Sequence, residues 1–486
     1  MRALDARAQA EGGIAGAVLM ARAAAAAWQE LRAQWPAAKT IVVLAGPGNN
    51  GGDGYVLATL ARQAGYSVQV LHFGPLPTQG DAAAAQASFV AGGGQPRPFD
   101  SDALAGVGGG AVIVDAVFGI GLKRALSAAA ADAVLAVQQA RARGAGVLAM
   151  DIPSGLDADT GAALGAVFKA DVTVTFIARK LGLFTGTGPE FSGRVVLADL
   201  QVPEEVLAIK AAAGALMHSR DLALALPPRL RDAHKGRSGH VLIVGGDLGM
   251  AGAVLLAARA ALRAGAGLVT VATRAAHAAS LVAAQPEVMI RGVESAAELL
   301  ALAAMATAIA IGPGLGTGDW GREMFAALAD RAGLLMDADA LNLLAENPGQ
   351  QTSRILTPHP GEAARLLGLS TAEVQANRPA AVRALAARYG GVAVLKGAGT
   401  LVYSEAEGLS VCPYGNPGMA VAGMGDALTG VMAAMLAQGL PAHAAACAGV
   451  LAHALAGDLA AEGGERGLLP SDLIDRLRQV VNAAAA

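Results

Sequence analysis

The chain has 486 residues, of which 54% are hydrophobic, and this is enough for two or three domains with large cores. Its 36 lysine and arginine residues are balanced by 39 acidic residues, and only 3% of the chain is aromatic, which argues against a basic, ring-lined surface for nucleic acid. The two cysteines, Cys412 and Cys447, lack metal-ligand spacing and suit a reducing compartment, so we expect a cytoplasmic protein.

Two apolar segments raise the question of a membrane, and neither has the pattern of a membrane segment. Residues 12–20 follow Asp5 and Glu11, whereas a signal peptide begins with basic residues. Residues 299–318 carry no charge, but they contain Gly312-Pro313-Gly314 and change from a helical to a strand-like pattern. We predict that the first segment belongs to a helix and that the second is a helix leading into a buried strand.

A strand, a glycine-rich segment and a helix follow the first predicted helix, which covers about residues 14–35. Residues 40–45 are almost all apolar, as in a parallel strand buried on both faces. Residues 46–54 read Gly-Pro-Gly-Asn-Asn-Gly-Gly-Asp-Gly and precede a predicted helix at 55–64. This order is typical of a nucleotide site at the carboxyl edge of a sheet, although the spacing is not that of the G-x-G-x-x-G fingerprint. Asn-Gly and Asp-Gly also form plain turns, but nine such residues favour a binding loop.

Three more strands alternate with helices in this half and predict a doubly wound α/β domain. The strands are expected at 67–73, 111–117 and 146–152. Asp115, Asp151 and Ser154 lie at or just after the ends of two of them, so parallel strands would bring these residues and Asn50 into one crevice. Carboxylate, amide and hydroxyl oxygens with little net charge suit a monovalent cation better than a transition metal.

These motifs resemble the NAD(P)H-hydrate epimerase domain. The resemblance rests on residues 46–54, on 115–121 (Asp-Ala-Val-Phe-Gly-Ile-Gly) and on 151–156 (Asp-Ile-Pro-Ser-Gly-Leu), and it covers nearly all of an N-terminal domain that we place at 1–215. It implies that Asn50, Asp115 and Ser154 hold a potassium ion (K+). It also implies that the hydrated nicotinamide nucleotide contacts Asn49, Asn50, Gly51, Gly52, Asp53, Gly119, Ile120, Gly121, Leu122, Lys123, Arg124, Ala125 and Asp151.

Asp151 is our candidate for the acid–base residue of this domain. Inversion of the hydroxyl-bearing carbon of a hemiaminal requires a proton donor and acceptor near that hydroxyl, and a carboxyl group can serve as both. Lys180 either contacts a phosphate or is a solvated charge, and the sequence slightly favours the solvated charge.

The alternation of strands and helices stops between about residues 205 and 228, where the chain becomes alanine-rich. Pro227-Pro228 favours an extended connection at the end of this stretch. We place a domain boundary within it and a second domain at 225–486.

Six further strands predict a second α/β domain. They are expected at 240–244, 267–272, 308–311, 333–337, 354–356 and 392–396. Polar or glycine-rich loops follow them at 245–247, 312–316, 337–342, 357–362 and 396–400, and the last of these sets Lys396 among small residues, where phosphates could bind. His359 lies between two prolines, which favours a substrate contact, whereas we expect His443 and His453 to be structural. Lys235 faces either a phosphate or solvent.

Residues 416–430 contain a helix start with two glycines and an aspartate. Gly423 and Gly425 precede an apolar run at 427–436, and the free N–H groups of a helix start bind anions. A phosphate there would be repelled by Asp426, so this residue is better explained as a base that takes a proton from an attacking hydroxyl. A plain capped helix is the alternative. The pattern Gly-x-Gly-Asp resembles the ribokinase-like small-molecule kinases, in which this loop forms the anion hole and this aspartate is the base.

Together these loops resemble the ADP- or ATP-dependent NAD(P)H-hydrate dehydratase domain, which is ribokinase-like. The resemblance implies that ADP, with Mg2+, is the phosphoryl donor and that Asp426 lets the ring hydroxyl attack its terminal phosphoryl group, after which phosphate leaves. Backbone N–H groups at 422–425 would stabilise the transferring charge. Nucleotide contacts are implied for Lys396, Gly397, Ala398, Gly399, Thr400 and Gly425. Contacts with the hydrated dinucleotide are implied for Ala253, Gly316, His359 and Asp426.

We therefore predict a bifunctional repair enzyme for hydrated NADH and NADPH (NADHX and NADPHX), in which a Rossmann-like α/β domain precedes a ribokinase-like α/β domain. Its expected partners are these small molecules, ADP and further copies of the chain in a homo-oligomer, with neither nucleic acid nor a membrane. Three alternatives stay open: a kinase of a small hydroxymethyl compound fused to a binding domain, an NAD-dependent dehydrogenase, and a non-enzymatic binding or scaffold module.

Overall fold

The computed structural model describes residues 2–208 and 212–482. The chain divides into two compact units, 1–212 and 213–486. The division falls within the stretch 205–228, of which residues 209–211 lie outside the described residues.

The described residues of the first unit form one parallel sheet of seven strands. In chain order these are β1 (Thr40–Ala45), β2 (Ser67–His72), β3 (Arg97–Pro98), β4 (Ala111–Ala116), β5 (Gly146–Met150), β6 (Val172–Phe176) and β7 (Arg194–Ala198). They are arranged β3-β2-β1-β4-β5-β6-β7, so the strand order reverses between β1 and β4. Ligands of open α/β sheets bind at such a switch point, outside the carboxyl ends of the strands. The four strands predicted from the sequence are confirmed, whereas β3, β6 and β7 were not predicted.

Seven helices accompany this sheet within the described part of the first unit. They are α1 (Arg2–Ala10), α2 (Gly16–Gln34), α3 (Asn49–Gln63), α4 (Gly80–Ala91), α5 (Ala128–Ala142), α6 (Gly188–Ser192) and α7 (Glu204–Leu207). Alternate side chains of β1 enter different cores: Ile41 and Val43 pack with α2, α3 and α4, and Val42 and Leu44 pack with α5. A strand covered on both faces must be apolar throughout, which explains why β1 was recognisable in the sequence.

The predicted glycine loop at 46–54 is wrong in its second part, because α3 already begins at Asn49 and not at residue 55. The glycines serve close packing of this helix against the strand ends. A Cβ at Gly51 would lie 1.9 Å from the carbonyl oxygen of Gly46, and a Cβ at Gly54 would lie 2.7 Å from the Cβ of Ala116. Glycine has a low intrinsic helix propensity, but the close tertiary packing of α3 outweighs this propensity here.

In the second unit, residues 213–482 form a sheet of ten strands. They are β8 (Ala215–Leu216), β9 (His240–Val244), β10 (Leu268–Thr273), β11 (Met289–Gly292), β12 (Ala308–Ile311), β13 (Leu334–Met336), β14 (Ile355–Leu356), β15 (Val392–Leu395), β16 (Thr400–Ser404) and β17 (Gly408–Cys412). The order is β11-β10-β9-β12-β13-β14-β15-β16-β17-β8, with a switch point between β9 and β12. In this spatial order, the seven neighbouring strands from β11 to β15 are parallel to one another. Strand β16 runs antiparallel to both of its neighbours, β15 and β17. The six predicted strands are confirmed, whereas β8, β11, β16 and β17 were not predicted.

Twelve helices are described in the second unit. They are α8 (Ser219–Ala225), α9 (Ala251–Arg263), α10 (Ala278–Ala284), α11 (Ala296–Ala303), α12 (Asp319–Leu328), α13 (Ala338–Glu346), α14 (Pro360–Leu367), α15 (Thr371–Ala376), α16 (Arg378–Tyr389), α17 (Met424–Ala437), α18 (Ala442–Ala460) and α19 (Pro470–Val480). Helix α17 lies at the centre, where its buried face packs against α9 and α18. Because β8 pairs with β17, the second unit begins before residue 225.

The uncharged segment 299–318 contains most of α11 and all of the buried strand β12, as predicted. Among the described residues, one helical segment, Ala442–Gly463, is long and apolar enough to cross a membrane. Of its most apolar part, 61% is buried inside the protein, and α18 packs against α17 and α19, which identifies it as a core helix of the second unit. Cys412 is buried and Cys447 partly buried, and both are free thiols.

Candidate active sites

A cleft of about 770 Å³ opens at the carboxyl edge of the first unit's sheet. Its walls come from the segments after β1, β4, β5 and β6 and from one face of α2, and its volume is within the range of small-molecule sites. The parallel strands thus bring Asn50 and Asp151 to one cleft, whereas Asp115 and Ser154 are not part of its lining. Ten predicted substrate contacts line the cleft: Asn49, Asn50, Asp53, Gly119, Ile120, Gly121, Leu122, Lys123, Arg124 and Asp151. Gly51, Gly52 and Ala125 are not part of its lining.

Asp115 and Ser154 form a buried polar pair beneath this cleft. The carboxylate of Asp115 is fully buried. Its Oδ1 accepts a hydrogen bond from Oγ of Ser154 at 2.6 Å, and its Oδ2 accepts one from the backbone N–H of Ser154 at 2.7 Å. Oγ of Ser154 also accepts from the N–H of Phe118 at 2.8 Å. Burial raises the pKa of Asp115 to about 6, against the opposing effect of its hydrogen bonds from Ser154 and Val117.

Asn50 supplies the observation that favours a bound cation. Its side chain is buried, and within the described part of the chain neither its Oδ1 nor its Nδ2 has a hydrogen-bond partner. An unsatisfied buried polar group costs about 1–3 kcal/mol, so a cation bound by the amide oxygen would relieve part of this cost. Within residues 2–208 and 212–482 no three His, Cys, Asp or Glu side chains are grouped as a metal centre. Amide, hydroxyl and carboxylate oxygens, as on Asn50, Ser154 and Asp115, are ligands of the kind that alkali cations take.

Asp151 and Lys180 form an ion pair at the cleft, 2.5 Å between Nζ and Oδ1. The prediction that Lys180 is a solvated charge is wrong, because only 3% of the residue is exposed. Its ammonium group also donates to the carbonyl oxygen of Phe176 at 2.7 Å. Asp151 has a backbone φ of 70°, which is uncommon for a residue other than glycine and often marks a functional position.

Lys123 and Arg124 lie at the exposed rim of the cleft. Nζ of Lys123 is paired with Asp159 at 2.8 Å and with Asp157 at 3.1 Å. The hydrogen bond to Asp159 is the largest cause that raises the pKa of Lys123, so this side chain is a fixed positive charge.

In the second unit, Asp426 lies in the first turn of α17 and is half-buried. The preceding Gly423 has a φ of 94°, a left-handed conformation that glycine adopts without strain, so the chain can enter the helix there. The first N–H groups of a helix have no partner four residues earlier in the same helix. That of Met424 donates to the carbonyl oxygen of Val421 at 3.4 Å, so those of Gly425 and Asp426 are the candidates for binding an anion. Burial, and then the nearby carboxylate of Asp337, raise the pKa of Asp426 to about 6, although Lys396 opposes them.

A buried network that the sequence did not reveal supports this helix start. The carboxylate of Asp337 is 1% exposed and accepts hydrogen bonds from Nζ of Lys396 and from Oγ1 of Thr429, both at 2.7 Å. Thr429 lies one turn after Asp426 on α17, and Glu362 is 3.9 Å from Lys396. Burial lowers the pKa of Lys396, but the negative charges of Asp337 and Glu362 more than offset burial, so the pKa of Lys396 is raised overall. A Cβ at Gly425 would lie 3.3 Å from Nζ of Lys396, which places the ammonium group at the helix start.

The predicted substrate residues Gly316 and Ala253 lie near the switch point of this sheet. The N–H of Gly316 donates to Oδ2 of Asp339 at 2.9 Å, and a Cβ at Gly316 would lie 3.1 Å from Oδ2 of Asp247. Ala253 is in the first turn of α9, and a Cβ at Gly314 would lie 3.2 Å from its Cβ. The loops after β9 and β12 therefore meet at this edge of the sheet.

His359 caps helix α14 with one ring nitrogen and has the other beside a carboxylate. Its Nδ1 accepts from the N–H groups of Gly361 and Glu362, and its Nε2 lies 3.5 Å from Oε1 of Glu362. The side chain is 57% exposed, in agreement with a residue outside the core.

The other histidines and Lys235 have different surroundings. His443 hydrogen-bonds Oγ of Ser404 at 2.9 Å, and His453 is buried, as expected for structural residues. Lys235 is exposed to solvent.

The segment Lys396 to Thr400 leaves the end of β15 and is held from below by Arg378. This guanidinium is 1% exposed, and it donates to the carbonyl oxygens of Leu395 and Lys396, each at 3.2 Å. Oγ1 of Thr400 donates to the carbonyl oxygen of Gly397 at 2.9 Å, which closes the turn. Gly397 and Ala398 are exposed, so the loop presents backbone to solvent.

Comparisons with known proteins match each half of the chain to a protein family. Residues 16–182 match the family model described as YjeF-related protein N-terminus, and residues 241–479 match the model described as NAD(P)H-hydrate dehydratase. The bifunctional NAD(P)H-hydrate repair enzyme of Coxiella burnetii is 46% identical over 97% of this chain and 96% of its own length. The enzyme of the same name from Escherichia coli K12 is 43% identical over 96% of this chain and 89% of its own length.

Solved structures match the second unit. A ribokinase-like superfamily protein from Enterococcus faecalis is 29% identical, with a TM-score of 0.52 over 56% of this chain and 97% of that protein. The ADP/ATP-dependent NAD(P)H-hydrate dehydratase of Bacillus subtilis, co-crystallised with ATP and Mg2+, is also 29% identical, with a TM-score of 0.50 over 56% of this chain and 98% of that protein. The predicted ribokinase-like fold is confirmed. Because relatives above 40% identity match almost the whole chain and a family model matches each half, the chain belongs to the bifunctional NAD(P)H-hydrate repair enzymes, which join an epimerase domain to a dehydratase domain.

Proposed function

We propose that the first unit interconverts the R and S forms of NADHX and NADPHX, and that the second unit converts the S form to NADH or NADPH with ADP as phosphoryl donor. The observation that carries the proposal is the placement of Asp426 in the first turn of α17 beside Lys396, where an anion-binding helix start and a base with a raised pKa coincide. The family to which the chain belongs supports the same division of tasks.

In the dehydratase reaction, Asp426 takes the proton of the ring hydroxyl. The hydroxyl oxygen then forms a bond with the terminal phosphorus of ADP as the bond from that phosphorus to AMP breaks. The phosphate ester of the ring next loses phosphate from carbon and a proton from the neighbouring carbon, which restores the double bond of the dihydronicotinamide. The ester is needed because hydroxide is a poor leaving group and phosphate is a good one. N–H groups of the first turn of α17 would bind the transferring phosphoryl group.

Mg2+ bound with ADP would neutralise charge on the phosphates. The carboxylates of Asp337, Asp339 and Glu362 each raise the pKa of Asp426, so they give this end of the sheet a negative field that suits a hard divalent cation. Asp426 and the amides of α17 remain the groups that act on the substrate itself.

In the epimerase reaction, Asp151 would accept the hydroxyl proton as the bond between that carbon and the ring nitrogen breaks. The proton passes to the nitrogen, the resulting aldehyde rotates about its carbon–carbon bond, and the reverse steps close the ring with the opposite configuration. Potassium held by Asn50, Asp115 and Ser154 would supply positive charge near the nucleotide. The buried, unpartnered amide of Asn50 supports this assignment.

We further propose that ADP is preferred over ATP, that the protein is cytoplasmic and that it forms a homo-oligomer. The Bacillus subtilis dehydratase is named for both donors, so the choice between them is open to direct measurement in this chain. A kinase of a small hydroxymethyl compound would instead accumulate a phosphorylated product without elimination. A dehydrogenase is disfavoured by the loop spacing after β1 and β9.

The proposal is tested with an equal mixture of R and S NADHX, Mg2+ and either ADP or ATP, by following the absorbance of the NADH that forms. We expect complete recovery with the wild-type protein. Asp151→Ala should repair the S form and leave the R form, because it lacks the acid–base group of the epimerase. Absence of recovery with both donors would remove the dehydratase assignment, and repair of both forms at the wild-type rate by Asp151→Ala would remove the epimerase assignment.

The pH dependence of the dehydratase should follow the ionisation of Asp426. Its pKa is about 6, above the usual value, so the group is protonated below pH 6 and can no longer accept the hydroxyl proton. We expect kcat/KM for the S form to be level above pH 7 and to fall about tenfold for each pH unit below 6. The measurement uses initial rates with a blank without enzyme, and circular dichroism to verify folding at each pH. A level profile down to pH 5 would contradict the role of Asp426 as the base.

Potassium should stabilise the first unit through Asn50. At 100 times its dissociation constant, a ligand of the folded state adds about 2.7 kcal/mol. We expect slower hydrogen exchange of β1, β4 and α3 in potassium chloride than in choline chloride of equal ionic strength. Asn50→Leu should lose this difference, whereas Asn49→Ala, changed at the exposed neighbouring position, should keep it. Equal responses of Asn50→Leu and the wild type would exclude Asn50 as a ligand.

A further inference from the structure

Lys180 is a buried lysine at the floor of the first unit's cleft. It is 3% exposed, and it lines the cleft together with Asp151, Phe176 and Ile177. A buried ammonium group is costly unless it is paired and hydrogen-bonded, and Lys180 has both an ion pair and a hydrogen bond to a backbone carbonyl. Replacing a buried ion pair by apolar residues is often neutral or stabilising, so this pair is weak evidence for a role in stability alone.

Because of this ion pair, the two carboxylate oxygens of Asp151 have different neighbours. Oδ1 accepts from Nζ of Lys180 at 2.5 Å and from the N–H of Phe176 at 3.3 Å. Oδ2 lies on the side of Gly119, because a Cβ at that glycine would be 3.5 Å from Oδ2 and 3.7 Å from the Cγ of Asn50. Gly119 and Asn50 both line the cleft, so the oxygen that is not held by Lys180 is the one beside the substrate space.

The backbone on both sides of this pair is strained. Asp151, directly after β5, has a φ of 70°, and Ile177, directly after β6, has a φ of 66°. Positive φ is a genuine outlier for a β-branched residue such as isoleucine, so this conformation is strained and persists only because surrounding contacts hold it. Lys180 connects the two turns, since it binds the side chain of one and the carbonyl oxygen of Phe176 in the other.

We propose that Lys180 is a positioning residue of the epimerase, which fixes Asp151 so that the hydroxyl proton is exchanged at Oδ2. This inference rests on the proposed acid–base role of Asp151. Lys180 adds no covalent step: the proton moves between the substrate and Oδ2, while the ammonium group holds Oδ1 and the two strained turns in place.

The test follows interconversion of R and S NADHX without ADP, so that the second unit is idle. A displacement of about 1 Å at a catalytic group can cost about 100-fold in rate, and we expect Lys180→Met to lower kcat by about this factor with less than about a threefold change in KM. Lys180→Arg should recover part of the loss, and ethylamine should partly rescue Lys180→Ala. Lys169→Met, which removes a surface lysine of the same unit, should have the kcat and KM of the wild type. The dehydratase rate with pure S form, measured in every variant, verifies that the rest of the chain is folded.

A double substitution separates positioning from a purely structural role. Because Lys180 acts through Asp151, Lys180→Met should have almost no further effect on kcat in an Asp151→Asn background, whereas independent effects would multiply. Lys180→Met with wild-type kcat, multiplicative effects in the double variant, or no rescue of Lys180→Ala by ethylamine would overturn the inference. If Lys180→Met does not fold, the other two variants test the inference. Partial activity of Lys180→Arg and partial rescue of Lys180→Ala by ethylamine would support it, and the absence of rescue would overturn it. Wild-type epimerisation by Asp151→Asn would refute the proposed role of Asp151 itself, which is a different outcome.

Discussion

Asp426→Asn is expected to reduce kcat of the dehydratase by roughly 100- to 10,000-fold, which is the usual contribution of a general base. The substitution keeps the size and hydrogen-bonding shape of the side chain and removes its ability to hold the hydroxyl proton. Asp426 is suited to the task because burial and the carboxylate of Asp337 raise its pKa to about 6, so the group is ionised at neutral pH and still basic. The KM for ADP should change little, because the N–H groups of α17 and the loop after β15 are retained.

Two controls make this result specific. The epimerase rate of Asp426→Asn should equal that of the wild type, since Asp151 and its cleft belong to the first unit. Asp319→Asn removes another aspartate from the first turn of a helix in the second unit, but an exposed one in α12, and it should retain full dehydratase activity. A kcat of Asp426→Asn within tenfold of the wild type would be incompatible with Asp426 as the base.

Lys396→Met is expected to destabilise the region around β13, β15 and α17 by about 3–5 kcal/mol, the usual cost when one partner of a buried pair is removed. Asp337 is 1% exposed, and without Lys396 its carboxylate would keep, among the residues that the structure describes, the hydrogen bond from Thr429 alone. Because Lys396 is also a predicted nucleotide contact beside Gly425, the KM for ADP should rise as well.

Urea-dependent hydrogen exchange, followed on peptides of these elements, measures the loss of stability. Peptides of the first unit serve as an internal reference, and Lys235→Met, at an exposed lysine, should have no effect. Adding Asp337→Asn to Lys396→Met should restore part of the stability, because it removes the unpaired buried charge, but it should not restore activity. If Lys396→Met leaves the protection of β13, β15 and α17 from hydrogen exchange unchanged, Asp337 is stabilised by other means.

The ten predicted strands were recognisable because both sheets are mainly parallel and covered on two faces. Parallel strands such as β1 and β9 must be apolar over their whole length, and they are followed by the polar loops that bind ligands. The seven strands that were missed are mostly short or at the sheet edges, as are β3, β8 and β11, or form the antiparallel hairpin of β16 and β17. Their sequences need not be apolar throughout, so periodicity gave a weak signal.

The sequence alone therefore determined the division into two α/β halves, the positions of the central strands and the motifs that carry the family resemblance. These features are local, since a few consecutive residues define each strand or loop. The tertiary structure decided which side chains meet. Asp337 contacts Lys396 and Thr429 over separations of 59 and 92 residues, and Lys180 is buried because the turns after β5 and β6 lie side by side. Such contacts follow from the order of strands in a sheet and from crossover connections, and neither is encoded in the spacing of residues along the chain.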